Sequence, residues 1–221
     1  FGSSQSGSRS IGTRAGHAMS LDVKISSAIQ RLELGYGEYL ILPGATCFGW
    51  EGIGPVLTAV ALYAGLKALF LTMLALAVGQ VANRFLKVSL QRARPTKPPG
   101  VKRSVEIRVP GPDDPDGASF PSGDTMAAAV VGAALAVSGC GPLWWLLGIY
   151  SGFGRVYFWC HFVADVAAGY VNGCLSVLLV AKLSGNGSAL EWWHIVVVML
   201  PFVLVMKVLK KFQLRKANVS K

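Results

Sequence analysis

Charged side chains are scarce in this sequence. They make up 14% of the chain, whereas 52% of its residues are hydrophobic. Soluble domains carry about a quarter charged residues, so this balance excludes an ordinary water-soluble globule and points to a membrane protein. Acids are scarcer than bases: 11 Asp and Glu stand against 21 Lys and Arg, a formal net charge of +10. In a membrane protein that excess marks cytoplasmic-type loops and contact with anionic head groups. The basic residues sit beside apolar segments, which argues against nucleic-acid binding. Cysteine is limited to Cys47, Cys140, Cys160 and Cys174, all in or next to apolar runs and none in a CxxC pair. That pattern excludes a disulfide framework and a zinc site, and the four read as small hydrophobes. Neither a metal nor a cofactor is expected. Residues 1–20 contain no acid and are rich in Ser, Gly and Arg. They read as a flexible or transit-like basic tail, with no secretory apolar region.

What is present is a series of apolar stretches of bilayer-spanning length. The candidate spans are 48–66, 67–88, 122–139, 142–158, 161–183 and 190–208. They predict an all-α, polytopic membrane helical bundle of about six spans, with a membrane domain over 48–209 and a basic tail over 210–221. Residues 21–47 mix apolar and charged positions and read as an interfacial amphipathic helix. The loop 91–121 is rich in Pro and basic residues. Six crossings put every Lys and Arg except Lys67 and Lys182 on the side that also holds this loop. By the positive-inside rule that face is cytoplasmic, or the matrix side in an organelle. Trp144, Trp145, Trp192 and Trp193 gather on the opposite face, as an interfacial aromatic belt would.

The ends of three predicted spans deliver chemistry to the basic face. Lys87 and Arg94 stand seven residues apart, two helical turns, and Pro95 follows. Pro121-Ser122-Gly123 opens the third span. Arg155 closes the fourth, and His161 and Asp165, four residues apart, open the fifth. Two arginines and a lysine can neutralise and orient a phosphoryl group. Ser122 and Gly123 lie where a helix N-terminus favours an anion. His161 can attack phosphorus and form a phosphohistidine, and Asp165 is placed to bond its other ring nitrogen.

These three segments together resemble the signature of the type 2 phosphatidic acid phosphatase superfamily, which includes lipid phosphate phosphatases, glucose-6-phosphatase and vanadium haloperoxidases. The resemblance covers roughly residues 48 to 183. It implies a helical-bundle fold, a metal-independent phosphomonoesterase reaction, His161 as nucleophile, and phosphate binding by Lys87, Arg94, Ser122, Gly123 and Arg155. Two departures stand out. The third motif usually begins Ser-Arg and here reads Gly154-Arg155. The second is usually Pro-Ser-Gly-His, the histidine being the general acid, and here Asp124 takes that place. A carboxylate among Lys87, Arg94 and Arg155 stays ionised. It is a poor acid and it repels phosphate.

Two functions follow from this reading. The first is a membrane lipid phosphate or diphosphate phosphohydrolase with Asp124 in an altered catalytic role, acting on a phospholipid or isoprenoid phosphate. A phosphate leaving group needs less protonation than an alkoxide, so diphosphates are the expected substrates. The second is a catalytically degenerate relative, a pseudoenzyme that binds phospholipid or serves as a structural subunit of a membrane-protein complex. The transit-like tail suits the inner mitochondrial membrane, with the endoplasmic reticulum as the alternative. His194 reads as interfacial packing, and Asp113, Asp114 and Asp116 as solvated loop residues.

Overall fold

The computed structural model describes residues 13–184 apart from 112, 113, 115 and 116. The expected span 190–208, Trp192, Trp193, His194, Asp113, Asp116 and the tail 210–221 therefore lie outside the described residues. Among the described residues every regular element is helical: α1 (Thr13–Gln30), α2 (Glu38–Thr46), α3 (Ile53–Leu90), α4 (Gly123–Leu135), α5 (Leu146–Tyr157) and α6 (Val163–Leu183). The chain is an all-α membrane helical bundle.

Helix α4 is its axis, and Thr125 through Leu135 are all buried. Its run of Ala and Gly keeps the surface low, so neighbours come close. Gly169 and Gly173 of α6 lie one turn apart facing it. A Cβ at Gly173 would stand 2.5 Å from the Met126 carbonyl oxygen, and one at Gly169 would collide with that of Ser122. Helix association in lipid rests on this kind of close van der Waals contact, because apolar burial gains nothing against apolar solvent. Met126, Val130, Val177, Leu71 and Leu74 fill one side of α4. Val131, Leu135, Phe48, Val60 and Ala68 fill the other.

The spans expected at 48–66 and 67–88 are the two limbs of α3, parted at Gly65 with φ 83° and ψ 175°. Glycine tolerates that backbone for want of a Cβ. A straight helix of 38 residues would be about 57 Å long. Instead both ends of α3 reach the same end of the bundle. Gly49, just ahead of it, faces Asp124, and Asn83 near its other end faces Gly123. The chain therefore reverses at Gly65. The first limb rises only about 18 Å, short of the roughly 30 Å hydrocarbon core. The expected span 142–158 is likewise shorter: Pro142–Trp145 form a 3-10 turn and α5 adds 12 residues. Among the described residues, three helical stretches are long and apolar enough to cross a bilayer: Ile53–Leu90, Gly123–Cys140 and Val163–Leu183.

The segment read as one interfacial helix over 21–47 is two. Gly35, at φ 51°, begins a 3-10 turn through Gly37 that separates α1 from α2, and α1 starts at Thr13 within the stretch expected to be a tail. The loop 91–121 is pinned over this end of the bundle. Buried Glu38 accepts the Ser104 N–H at 2.7 Å and the Tyr157 hydroxyl at 2.8 Å. The Arg103 guanidinium stacks 3.6 Å from the centre of the Tyr157 ring.

Gly173→Val drives a branched side chain into the Met126 backbone. It should destabilise the bundle by about 1–3 kcal/mol, visible as a lower thermal midpoint in detergent, whereas a midpoint equal to the native one would contradict this packing.

Candidate active site

The reversal at Gly65 returns α3 to the end of the bundle where α4 and α6 begin. Its last turn carries Lys87, which is buried and donates to the Ala118 carbonyl at 2.6 Å. Gln91 ends the helix in the left-handed region, and the chain then runs without regular structure through Arg92 and Arg94. Ser119 pins this stretch from both sides: its N–H donates to Arg92 O at 2.7 Å and its hydroxyl to Ala93 O at 3.0 Å. Arg94 is thereby aimed across the site. Its Nη1 donates to Cys160 O at 2.7 Å and lies 3.3 Å from His161 Nε2.

That contact assigns the imidazole. A guanidinium has donors only, so Nε2 meets it with its lone pair and the ring proton resides on Nδ1. The ring is 1% exposed and lies in the turn between α5 and α6, outside the spanning helices. Burial, then the charges of Arg155, Arg94 and Lys87, hold its pKa well below the ordinary histidine value. Both effects keep it neutral, the form a nucleophile needs.

Lys87, Arg94, Gly123, Asp124, Arg155 and His161 all line one cavity of about 550 Å³. That volume lies within the range of small-ligand sites. From the charged end the cavity continues between the limbs of α3, past Leu57, Met73 and Leu76. It therefore offers a cationic end and an apolar end in one space.

Three expected contacts differ in detail. Asp165 does not hydrogen-bond the ring: its Oδ2 stands 3.7 Å from His161 Nδ1. The carboxylate is drawn instead to Arg92, whose Nη1 donates to Oδ1 at 2.8 Å, and to the Phe162 N–H, which donates to Oδ2 at 2.8 Å. Ser122 is fully buried beneath the cavity. Its hydroxyl oxygen accepts the Thr125 N–H at 3.4 Å as the α4 cap and donates to Thr125 Oγ1 at 3.0 Å, and its N–H donates to Asp165 O at 3.0 Å. Asp124 occupies an arginine expected to bind phosphate: its Oδ2 lies 2.7 Å from Arg155 Nη1, which also donates to Ala45 O at 2.9 Å.

Sequence reasoning missed two residues here. Arg92 reads as an ordinary basic anchor, yet it bridges Asp165 and Asp22. Asn83, buried and lining the cavity, sits one turn before Lys87 on the same face of α3, and that spacing was its signal.

With this geometry in view, comparison with known proteins defines the class. The sequence model of the PAP2 superfamily matches residues 66–188, more than half of the chain. The chain belongs to that superfamily. No curated protein matches it in sequence. Its fold is similar to that of Aquifex aeolicus LpxE, with a TM-score of 0.58 at 20% identity over 73% of this chain and 95% of that one. It is equally similar to a transmembrane PAP2-type phosphatidylglycerolphosphate phosphatase from Bacillus subtilis. There the TM-score is 0.58 at 24% identity, over 80% of this chain and 89% of that one.

The electrostatics of His161 can be read directly by following its labelled ring resonance, assigned by its loss in His161→Ala, through a pH titration. The proton should bind only below pH 6.5, and Arg155→Met, which removes a like charge, should move the midpoint upward. A native midpoint at or above 6.5 would contradict the arrangement.

Proposed function

We propose that this chain is a membrane lipid phosphohydrolase that works through a phosphohistidine on His161 and prefers lipid diphosphates to simple phosphate esters. The observation that carries this reading is the lone pair of His161 Nε2, presented beside Arg94 in a cationic cavity with an apolar extension. A phosphoryl oxygen entering the cavity would take the Arg94 guanidinium, with Lys87 and the Gly123 N–H nearby to share its charge. Nε2 then attacks phosphorus, and the bond from phosphorus to the leaving oxygen breaks with its electron pair. Water cleaves the phosphohistidine and releases inorganic phosphate.

Asp124 decides the leaving group. Its Oδ2 is held on Arg155 at 2.7 Å, an ion-pair acceptor in the place where the family has an acid. An alkoxide leaving without an acid forfeits about 10²–10⁴ in rate. A phosphate monoester leaving from a diphosphate is already a stable anion. The basic face that holds the site is the cytoplasmic or matrix face in this reading.

The same ion pair favours a second function. With Arg155 neutralised by Asp124, the cavity suits a non-catalytic phospholipid-binding member of the family, held in a membrane complex. Phosphate release by the purified chain from phosphatidic acid and from a polyprenyl diphosphate separates the two. Hydrolysis of the diphosphate at least tenfold faster than of phosphatidic acid, abolished in His161→Ala, is the expected result. Faster turnover of phosphatidic acid would sink the leaving-group argument. A silent native chain that becomes active as Asp124→His would establish the second function.

A further inference from the structure

Helix α6 begins directly after His161, and its N-cap residue is Phe162, whose side chain cannot accept a hydrogen bond from the N–H groups that a helix start leaves open. Two of those groups are satisfied from another helix. Val163 donates to Ser26 Oγ at 2.9 Å and Ala164 to Asp22 Oδ1 at 2.8 Å. Both acceptors belong to α1, where a spacing of four residues puts them on one face. Asp22 has a second role. Its Oδ2 accepts from Arg92 Nη2 at 2.6 Å, while Arg92 Nη1 holds Asp165 at 2.8 Å. The same guanidinium lies 4.2 Å from the centre of the Phe162 ring.

Helix α1 thus turns its polar stripe inward. Ser26 and Gln30 are buried, whereas Leu21 and Ile25 are exposed. Hydrogen bonding at Asp22 and Ser26 ties this helix to the start of α6. It also lies ahead of the residues that the family sequence matches, so this support comes from outside the shared region.

We propose that Asp22 and Ser26 are positioning residues for the site: α1 caps α6 in trans, immediately after His161, and so fixes the turn that carries its ring, while Asp22 shares Arg92 with Asp165. The kinetic part of this proposal rests on His161 being the nucleophile. The structural part does not.

The test uses the full chain in detergent, with Asp22→Ala, Ser26→Ala and Asp22→Asn beside Lys24→Ala, a change on the exposed side of α1. Amide hydrogen exchange over residues 160–166 should quicken about fivefold in Asp22→Ala and Ser26→Ala, with residues 123–130 unchanged. The labelled His161 ring resonance should shift in Asp22→Ala and stay in place in Lys24→Ala. For phosphate release, kcat should fall about 10- to 100-fold with KM within twofold, as expected when a reacting group is misplaced but binding survives. Asp22→Asn keeps the oxygen that caps Ala164 and loses the charge that holds Arg92, so it should fall between. It also serves if Asp22→Ala does not fold. Native exchange in both alanine variants would overturn the trans cap. An unmoved His161 resonance, or unchanged kcat, would overturn the link to the ring. If the native chain releases no phosphate, the functional reading fails, and exchange and resonance still decide this proposal.

Discussion

The site depends on how closely α4 and α6 approach each other. Gly169 and Gly173 let α6 lie against the backbone of α4, and the Ser122 N–H closes the junction on the Asp165 carbonyl at 3.0 Å. That contact joins the second and third motifs at backbone level, where no side chain can swing away. Without it the start of α4 and the turn that carries His161 would be two independent helix ends. A cationic cavity in a membrane protein needs them to be one. Charges drawn out of water are tolerated only where their partners are fixed, since a mobile partner leaves a desolvated ion.

The acids around the site have divided labour. Asp22 and Asp165 share Arg92 and take it into the scaffold, away from the cavity. Asp124 lines the cavity and holds Arg155. A cluster of positive groups would otherwise repel itself and hold the helix ends apart. Two of the acids relieve that repulsion beneath the site, and the third relieves it within. The third can be displaced by an incoming anion only at the expense of an ion pair, so the resting site already contains a carboxylate competitor of its own ligand.

Much of this was legible in the sequence. Counting spans placed Lys87, Arg94, Ser122, Gly123, Arg155, His161 and Asp165 at one face; Lys87, Arg94, Gly123, Arg155 and His161 line one cavity, whereas Ser122 and Asp165 are buried outside its lining. The ends of the apolar runs carried that information even where a run, as at 48–66 and 142–158, is too short to span. The count failed where backbone conformation, not composition, decides. The reversal between the spans expected at 48–66 and 67–88 falls at Gly65, as that division implied, but composition gave no sign that the first limb would be too short to span. The partner of Asp165 was likewise hidden. Helical spacing puts a histidine and an aspartate on one face, but His161 lies ahead of the helix, where that spacing no longer applies. The inward stripe of α1 ran against expectation too, since an amphipathic pattern is usually read with its apolar side as the buried one.

The unequal lengths of the helices reach beyond the protein. Helix α6, with 21 residues, rises about 32 Å and matches a typical hydrocarbon core, whereas the first limb of α3 and the 12 residues of α5 rise about 18 Å each. Leu146, Ile149 and Phe153 nonetheless turn an apolar stripe of α5 outward. Acyl chains beside that stripe must shorten or tilt to meet it, while those beside α6 need not. Such mismatch costs fractions of a kcal/mol per ångström. Among the described residues, the lipid beside α5 is therefore asked to be thinner than the lipid beside α6, so this face of the bundle deforms the bilayer it sits in.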